Sequence, residues 1–321
     1  MNEMLYIILP LCNPRQYKRR FYLYTNFVKR LLKDYENIFI LTVEMIFNNH
    51  KSHTLSSLNL DDNRHKIIYV HSDSELWVKE NLINIGIRYL TLNINPNWKY
   101  VAWIDCDIMF LDDDKKLIEK TIYALSHHPI VQMWISCAFL SNNNRIIESY
   151  TSYGFQYDQE SDIFIQKVKN DKYLNKYYHP GFAYSIRRDF YDASGGLIDF
   201  CICGSADYVM VNACCNKVEK TFFTGMNEDY KRLLLQWQEN IKPFHYKLGY
   251  VEMSICHFWH GSRKNRRYSE RNDILLKNEY NPLTDIKKNS YGLVVLNNNK
   301  INLIKQLQHY FKNRNEDSID E

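Results

Sequence analysis

Between Leu5 and Ile104 short apolar runs alternate with stretches whose apolar residues recur every three or four positions, and no other feature restricts the fold as much. Tyr6 to Leu9, Asn37 to Val43, Lys66 to His71 and Tyr100 to Ile104 have the length and the β-branched or aromatic content of buried strands. Between the first two, Tyr17, Phe21, Tyr24, Val28 and Leu31 form one apolar stripe at helical spacing. Asn13 before Pro14 predicts the start of that helix, with Asn as the cap and Pro at the first helical position. A second helix is expected from Glu75 to Leu92, with Leu76, Leu82, Ile83, Ile87 and Leu90 turned inward. Strands separated by helices imply an α/β fold: a mostly parallel sheet covered by helices on both faces.

The second half is less regular. The polar stretch 141–178 suits a loop or lid. Phe182 to Ile186 and Val251 to Phe258 are strand candidates, and Gly195-Gly196 is a turn. Ala206 to Cys214, Glu228 to Glu239 and Ile301 to Phe311 suit helices, the last followed by an acidic tail expected to fray. No repeat, linker or composition break marks a boundary. The expectation is a catalytic domain over residues 1–270, with 271–321 a C-terminal extension whose amphipathic helix packs on it.

With 45% hydrophobic and 24% charged residues, the 321-residue chain has the composition of a soluble globular protein with a sizeable core. A net charge of +4 is small for this length and argues against a dedicated nucleic-acid binder. No apolar run approaches the roughly 20 residues of a transmembrane helix, and Met1 to Pro10 lacks the pattern of a signal peptide. The eight cysteines include no C-x-x-C pair and fall mostly inside apolar stretches. They read as buried free thiols in a reducing compartment, which places the expected location in the cytoplasm.

The strongest chemical signal is Trp103-Ile-Asp-Cys-Asp-Ile-Met-Phe110, where Asp105 and Asp107 follow an apolar strand. That end of a strand is where open α/β sheets bind ligands. Paired carboxylates there suit Mg²⁺ or Mn²⁺, ions that complete their shell with substrate phosphate. Asp112, Asp113 and Asp114 read as the N-terminal cap of the following helix. Late in the chain, Cys256-His-Phe-Trp-His-Gly-Ser-Arg263 brings His257 and His260 after an apolar run. Imidazole ligands favour Mn²⁺ over Mg²⁺. Arg263 and the basic residues after it suit a loop closing over a diphosphate, and Lys79 suits a phosphate contact. On a helix, Trp77, Asn81 and Asn84 share one face.

A strand ending in D-x-D after three earlier strands resembles the nucleotide-sugar glycosyltransferases of the GT-A fold. The closer likeness is to the β-1,4-galactosyltransferase-like branch. It rests on Trp77-Val-Lys-Glu-Asn-Leu-Ile-Asn-Ile-Gly86, on Pro180-Gly-Phe-Ala-Tyr-Ser-Ile-Arg-Arg-Asp189, on Gly195-Gly-Leu197 and on Gly204-Ser-Ala-Asp207, over residues 75–260. Ala206 stands where that family has Glu, Lys79 where it has Arg, and Cys201 and Cys203 stand in place of its acceptor-sugar Trp.

The resemblance implies a Rossmann-like sheet with an irregular acceptor-side half, a UDP-sugar donor, a carbohydrate or glycoconjugate acceptor and a Mn²⁺ (or Mg²⁺) cofactor. It makes Asp105, Asp107, His257 and His260 the metal ligands and Asp207 the base of an inverting transfer. Leu11 and Asn13 would meet the nucleotide base. Trp77, Lys79 and Asn84 would border the donor, and Gly181 the sugar. Two rivals remain. One is a carbohydrate-binding or scaffold protein with a degenerate glycosyltransferase fold, and the other is a D-x-D phosphatase, which places its acidic pair on the first strand.

Overall fold

The computed structural model describes residues 3–52, 54, 62–158, 178–268, 270–297 and 300–319. Strands β1 (Leu5–Cys12), β2 (Ile38–Phe47), β3 (His65–Ser72) and β4 (Tyr100–Ile104) occupy the four apolar runs. Then come β5 (Ile108–Leu111), β6 (Ile130–Gln132), β7 (Ser136–Leu140) and β8 (Ile146–Thr151). Strands β9 (Ala183–Arg187), β10 (Leu248–Tyr250) and β11 (Ser254–His257) complete the two sheets that matter to the site.

The larger sheet has the order β10-β6-β9-β4-β1-β2-β3, and only β9 runs antiparallel to its neighbours. This is a mixed α/β fold with a mainly parallel central sheet. From β1 the chain moves outward through β2 and β3, then returns to place β4 on the other side of β1. The strand order therefore reverses between β1 and β4, and the crevice beyond their carboxyl ends is the expected ligand site. The D-x-D segment begins one residue past the end of β4.

Side chains alternate across this sheet, and so feed two cores. On one face Ile8, Leu41, Val43 and Trp103 meet Leu82, Ile83, Ile87 and Leu90. On the other, Ile7, Leu9, Ile40 and Ala102 meet Tyr24, Phe27, Val28 and Leu31 of α1 (Lys18–Asp34). The first set comes from α2 (Lys79–Asn93). Gly86 of α2 lies so close to the sheet that a Cβ there would stand 2.5 Å from Ile8 Cγ2. Further along are α3 (Leu117–His127), α4 (Tyr153–Asp158), α5 (Arg188–Ser194) and α6 (Ala206–Cys214). The smaller sheet has the order β5-β11-β7-β8.

Several local expectations need correction. The first helix begins at Lys18, not at Pro14. The Asn13 side chain instead bonds both the N–H and the C=O of Tyr17, and the carboxylate of Asp317 accepts from the N–H groups of Lys18 and Arg19. A cap supplied from the far end of the chain leaves no local signature. The second helix begins at Lys79, so Trp77 precedes it and shares no helical face with Asn81 and Asn84. The stretch expected to be a loop contains β8 and α4, and its residues 159–177 lie outside the described ones. The apolar run Val251 to Phe258 yields only the four residues of β11, with β10 just before it in the other sheet. The tail is not frayed at Arg314 and Glu316, which are buried. Asp112 does cap α3, accepting from the N–H groups of Lys116 and Leu117.

Each cysteine is a free thiol and six are buried. Among the described residues no helix is long and apolar enough to cross a membrane.

Candidate active site

A cavity of about 820 Å³ opens beyond the carboxyl ends of β1 and β4. Leu11 and Asn13 line it from the end of β1, and Asp105 and Asp107 from the turn after β4. Lys79 enters from the start of α2, Asp207 from the first turn of α6, and His257 from the end of β11. Trp77, Gly181, His260 and Arg263 are also on its wall. Asn84 is not.

The most pointed chemistry is at Asp107. Its Oδ2 lies 3.0 Å from His260 Nε2 and 3.8 Å from His257 Nε2, and the two imidazole nitrogens are 3.2 Å apart. Strand pairing sets this geometry. His257 is registered against Ile108 across β11 and β5, and the Phe258 N–H donates to the Asp107 carbonyl oxygen at 2.8 Å. The turn after β4 thus meets residues 150 positions later, and the His257 ring stacks on Phe139 with centroids 4.5 Å apart. Burial alone would raise the Asp107 carboxyl, but its surroundings, His260 first and Arg20 among them, outweigh it and hold the group well below the usual carboxylate range. Burial also pushes His257 well below the usual imidazole value, so that ring stays neutral, as a metal ligand must be.

These three groups suit a divalent cation. They are the cluster of potential ligands within 4.8 Å of one another found among the described residues. Asp107 Oδ1 is buried without a hydrogen-bond partner there, an arrangement that is costly unless something else completes it. One carboxylate and two imidazoles favour a first-row transition ion over Mg²⁺. Arg266 currently donates to His260 Nε2 at 2.8 Å, so an ion at that nitrogen takes the place of a guanidinium N–H.

Asp105 stands outside this cluster, contrary to expectation. Its Oδ1 is 2.5 Å from Lys79 Nζ, and its backbone N–H donates to the Phe182 carbonyl oxygen at 2.7 Å. Burial would lower the Lys79 ammonium, but Asp105 outweighs it and keeps the charge on. Beside it Glu80 is buried, and burial pushes its carboxyl up to about 8 against the opposing pull of Lys79. The turn after β4 has therefore given its two carboxylates different partners.

Asp207 lies against Gly181: a Cβ on that glycine would stand 2.9 Å from Asp207 Oδ2. Ser205, the residue before α6, does not cap it with its side chain and instead accepts from Arg271 at 3.1 Å. Arg263 is ion-paired with Glu148 and donates to the Tyr150 hydroxyl, so it is tied to β8 and not free over the cavity. The Trp77 ring is covered by the Arg314 guanidinium, 4.9 Å from its centroid. Asn84 accepts from the Leu197 N–H and the Tyr191 hydroxyl and donates to the Leu197 carbonyl, which fixes the Gly195-Gly196 turn.

Sequence reasoning did not find Glu80, Arg314 or Glu316 as wall residues. Arg314 and Glu316 fall well past the last motif, and nothing local marks them. His179, two residues before Gly181 on the same wall, is stacked on Phe182 at 4.0 Å. Burial, then Arg266 and Arg263, push it down to about 3, so it is neutral.

The chain matches no protein-family model and no curated protein. Among solved structures it is similar to a crystal structure from Desulfovibrio desulfuricans G20, provisionally described as a nucleotide-diphospho-sugar transferase. The identity is 11%, the TM-score 0.35, and the match covers 86% of this chain and 98% of that one. A likeness at that score carries no argument about this chain. The functional reading rests on the cavity.

Proposed function

We propose that this protein is a metal-dependent glycosyltransferase that moves a hexosyl group from a nucleotide-sugar, UDP-linked, to a hydroxyl of a carbohydrate or glycoconjugate, with inversion. The observation that carries this reading is the meeting of Asp107, His257 and His260 in one cavity with Lys79 and Asp207, at the point where the sheet order reverses. Asp107, His257 and His260 would hold Mn²⁺, which when bound supplies the positive charge that a departing diphosphate needs. Lys79 adds a fixed cation on the same wall, and Arg266 a guanidinium whose fork matches phosphate oxygens. Asp207 accepts the proton of the acceptor hydroxyl as that oxygen forms its bond to the anomeric carbon and the sugar–phosphate bond breaks. His179, neutral and stacked on Phe182, walls the sugar side with a flat surface. Residues 1–270 carry the proposed metal ligands and base in this reading, and 271–321 is an extension packed on them that adds Arg271, Phe311, Arg314 and Glu316 to the cavity wall. Eight free thiols fit a cytoplasmic setting.

The test is UDP release from a panel of UDP-sugars with and without Mn²⁺. Asp107→Asn is expected to abolish the Mn²⁺-dependent rate. Asp207→Asn is expected to lower kcat by roughly 10²- to 10⁴-fold while leaving UDP affinity unchanged. Wild-type turnover in Asp107→Asn would remove the metal from the mechanism. A second reading draws on Lys79, whose charge is already neutralised by Asp105, and on Ala206: a carbohydrate-binding protein that kept the cavity without turnover. Binding of a UDP-sugar with no release of UDP would select it.

A further inference from the structure

We infer that the tail segment from Arg314 to Ser318 is a built part of the cation site, in which Glu316 is the positioning residue for His260. The inference rests on the proposed cation at Asp107, His257 and His260 and names what makes that site. Glu316 is buried, with its side chain 5% exposed. Its carboxylate accepts from Arg20 Nε at 2.8 Å and from Arg314 Nε at 3.0 Å, and its Oε2 lies 3.8 Å from His260 Nδ1. The His260 ring is thus flanked on both edges: Nε2 faces Asp107 and His257, while Nδ1 faces Glu316. A carboxylate at Nδ1 draws the ring proton to that side and leaves the Nε2 lone pair for an ion.

The rest of the segment holds this arrangement in place. Asp317 accepts from the N–H groups of Lys18 at 3.0 Å and Arg19 at 2.8 Å, at the start of α1. The Trp259 indole donates to the Ser318 carbonyl oxygen at 2.9 Å, and the Ser262 N–H donates to the Ser318 hydroxyl at 3.0 Å. Arg19 Nε donates to the Trp259 carbonyl oxygen at 2.9 Å. Gly261 has φ +88°, and a Cβ there would stand 2.7 Å from the Asn315 carbonyl oxygen. The loop carrying His260 therefore lies between α1 and the tail, bonded to each. An ion ligand on a free loop would lose conformational freedom on binding, and here the tail has already fixed it.

The experiment is calorimetric titration of the full chain with Mn²⁺ and with Zn²⁺ alone, for wild type and Glu316→Gln. Long-range proton–nitrogen NMR of the Zn²⁺-saturated wild type accompanies it. The expected results are a 10- to 100-fold weaker ion in Glu316→Gln, with near-ultraviolet circular dichroism unchanged, and His260 ligated through Nε2 with its proton on Nδ1. Equal affinity in a folded Glu316→Gln, or ligation of His260 through Nδ1, overturns the inference and leaves the proposed function standing. If Glu316→Gln does not fold, the NMR result on wild type decides alone. If wild type binds neither ion, the cation of the proposed function falls, and the role assigned to the tail falls with it.

Discussion

Asp105 and Asp107 are equivalent as letters in a motif, yet in the fold one neutralises Lys79 and the other meets two imidazoles. The difference comes from the turn after β4, which puts Asp107 against the end of β11 and leaves Asp105 facing the start of α2. Glu80 shows the same dependence on surroundings more sharply. It is buried beside Lys79 and near Asp207, and burial pushes its carboxyl from 4.5 up to about 8. The sign of the consequence is fixed. The folded chain holds this proton more tightly than the unfolded chain, so stability is fully present below the unfolded value and is lost as pH rises toward the folded one. Glu80→Gln cannot ionise and escapes that loss. In urea unfolding from pH 5 to pH 8, the stability of Glu80→Gln relative to wild type is expected to grow by up to about 1.4 kcal/mol per pH unit. A difference that stays constant across this range would mean that Glu80 is ionised in the folded chain.

At the scale of elements, what was legible follows from how far the controlling contacts lie along the chain. Strands β1 to β4 were readable because parallel strands buried on both faces are continuous apolar runs, and helix α1 because its stripe repeats locally. Strands β5, β7 and β8 were missed: they are short and partly exposed, β5 and β7 are defined by pairing with distant β11, and β8 is an edge strand paired with β7 alone among the described residues. The meeting of Asp107 with the two histidines was open to a guess from residue types, but the exclusion of Asp105 and the arrival of Glu316 were not. Gly86 belongs to this scale too. It stood inside a motif read for donor binding, whereas in the fold it lets α2 approach β1 and β2, with Ile8 Cγ2 2.5 Å and Val43 Cγ2 3.0 Å from where a Cβ would be. Gly86→Val is expected to cost about 1–3 kcal/mol from overpacking, read as a lower urea midpoint with an unchanged slope. A wild-type midpoint would mean that α2 does not seat on the sheet in this way.

For the molecule as a whole, the cavity draws its wall from residues between Pro10 and Glu316, so distant parts of the chain must be in place before the site exists. Its charges are also poised rather than complete: Arg266 holds the nitrogen an ion would take, Lys79 is paired with Asp105, and Asp107 Oδ1 lacks a partner among the described residues. Such a site binds its ligands only in the folded state, so ligation must raise the stability of the entire chain. UDP at a hundred times its dissociation constant, with Mn²⁺ saturating, is expected to stabilise the protein by about 2.7 kcal/mol, seen as a higher unfolding temperature. The interaction between the two ligands is the informative part. If the diphosphate is held through an ion on Asp107, His257 and His260, UDP without Mn²⁺ should give a much smaller rise at the same concentration, and Asp107→Asn should lose the difference. Equal stabilisation with and without Mn²⁺ would place the diphosphate on the arginines and Lys79 alone and detach the histidine cluster from the donor.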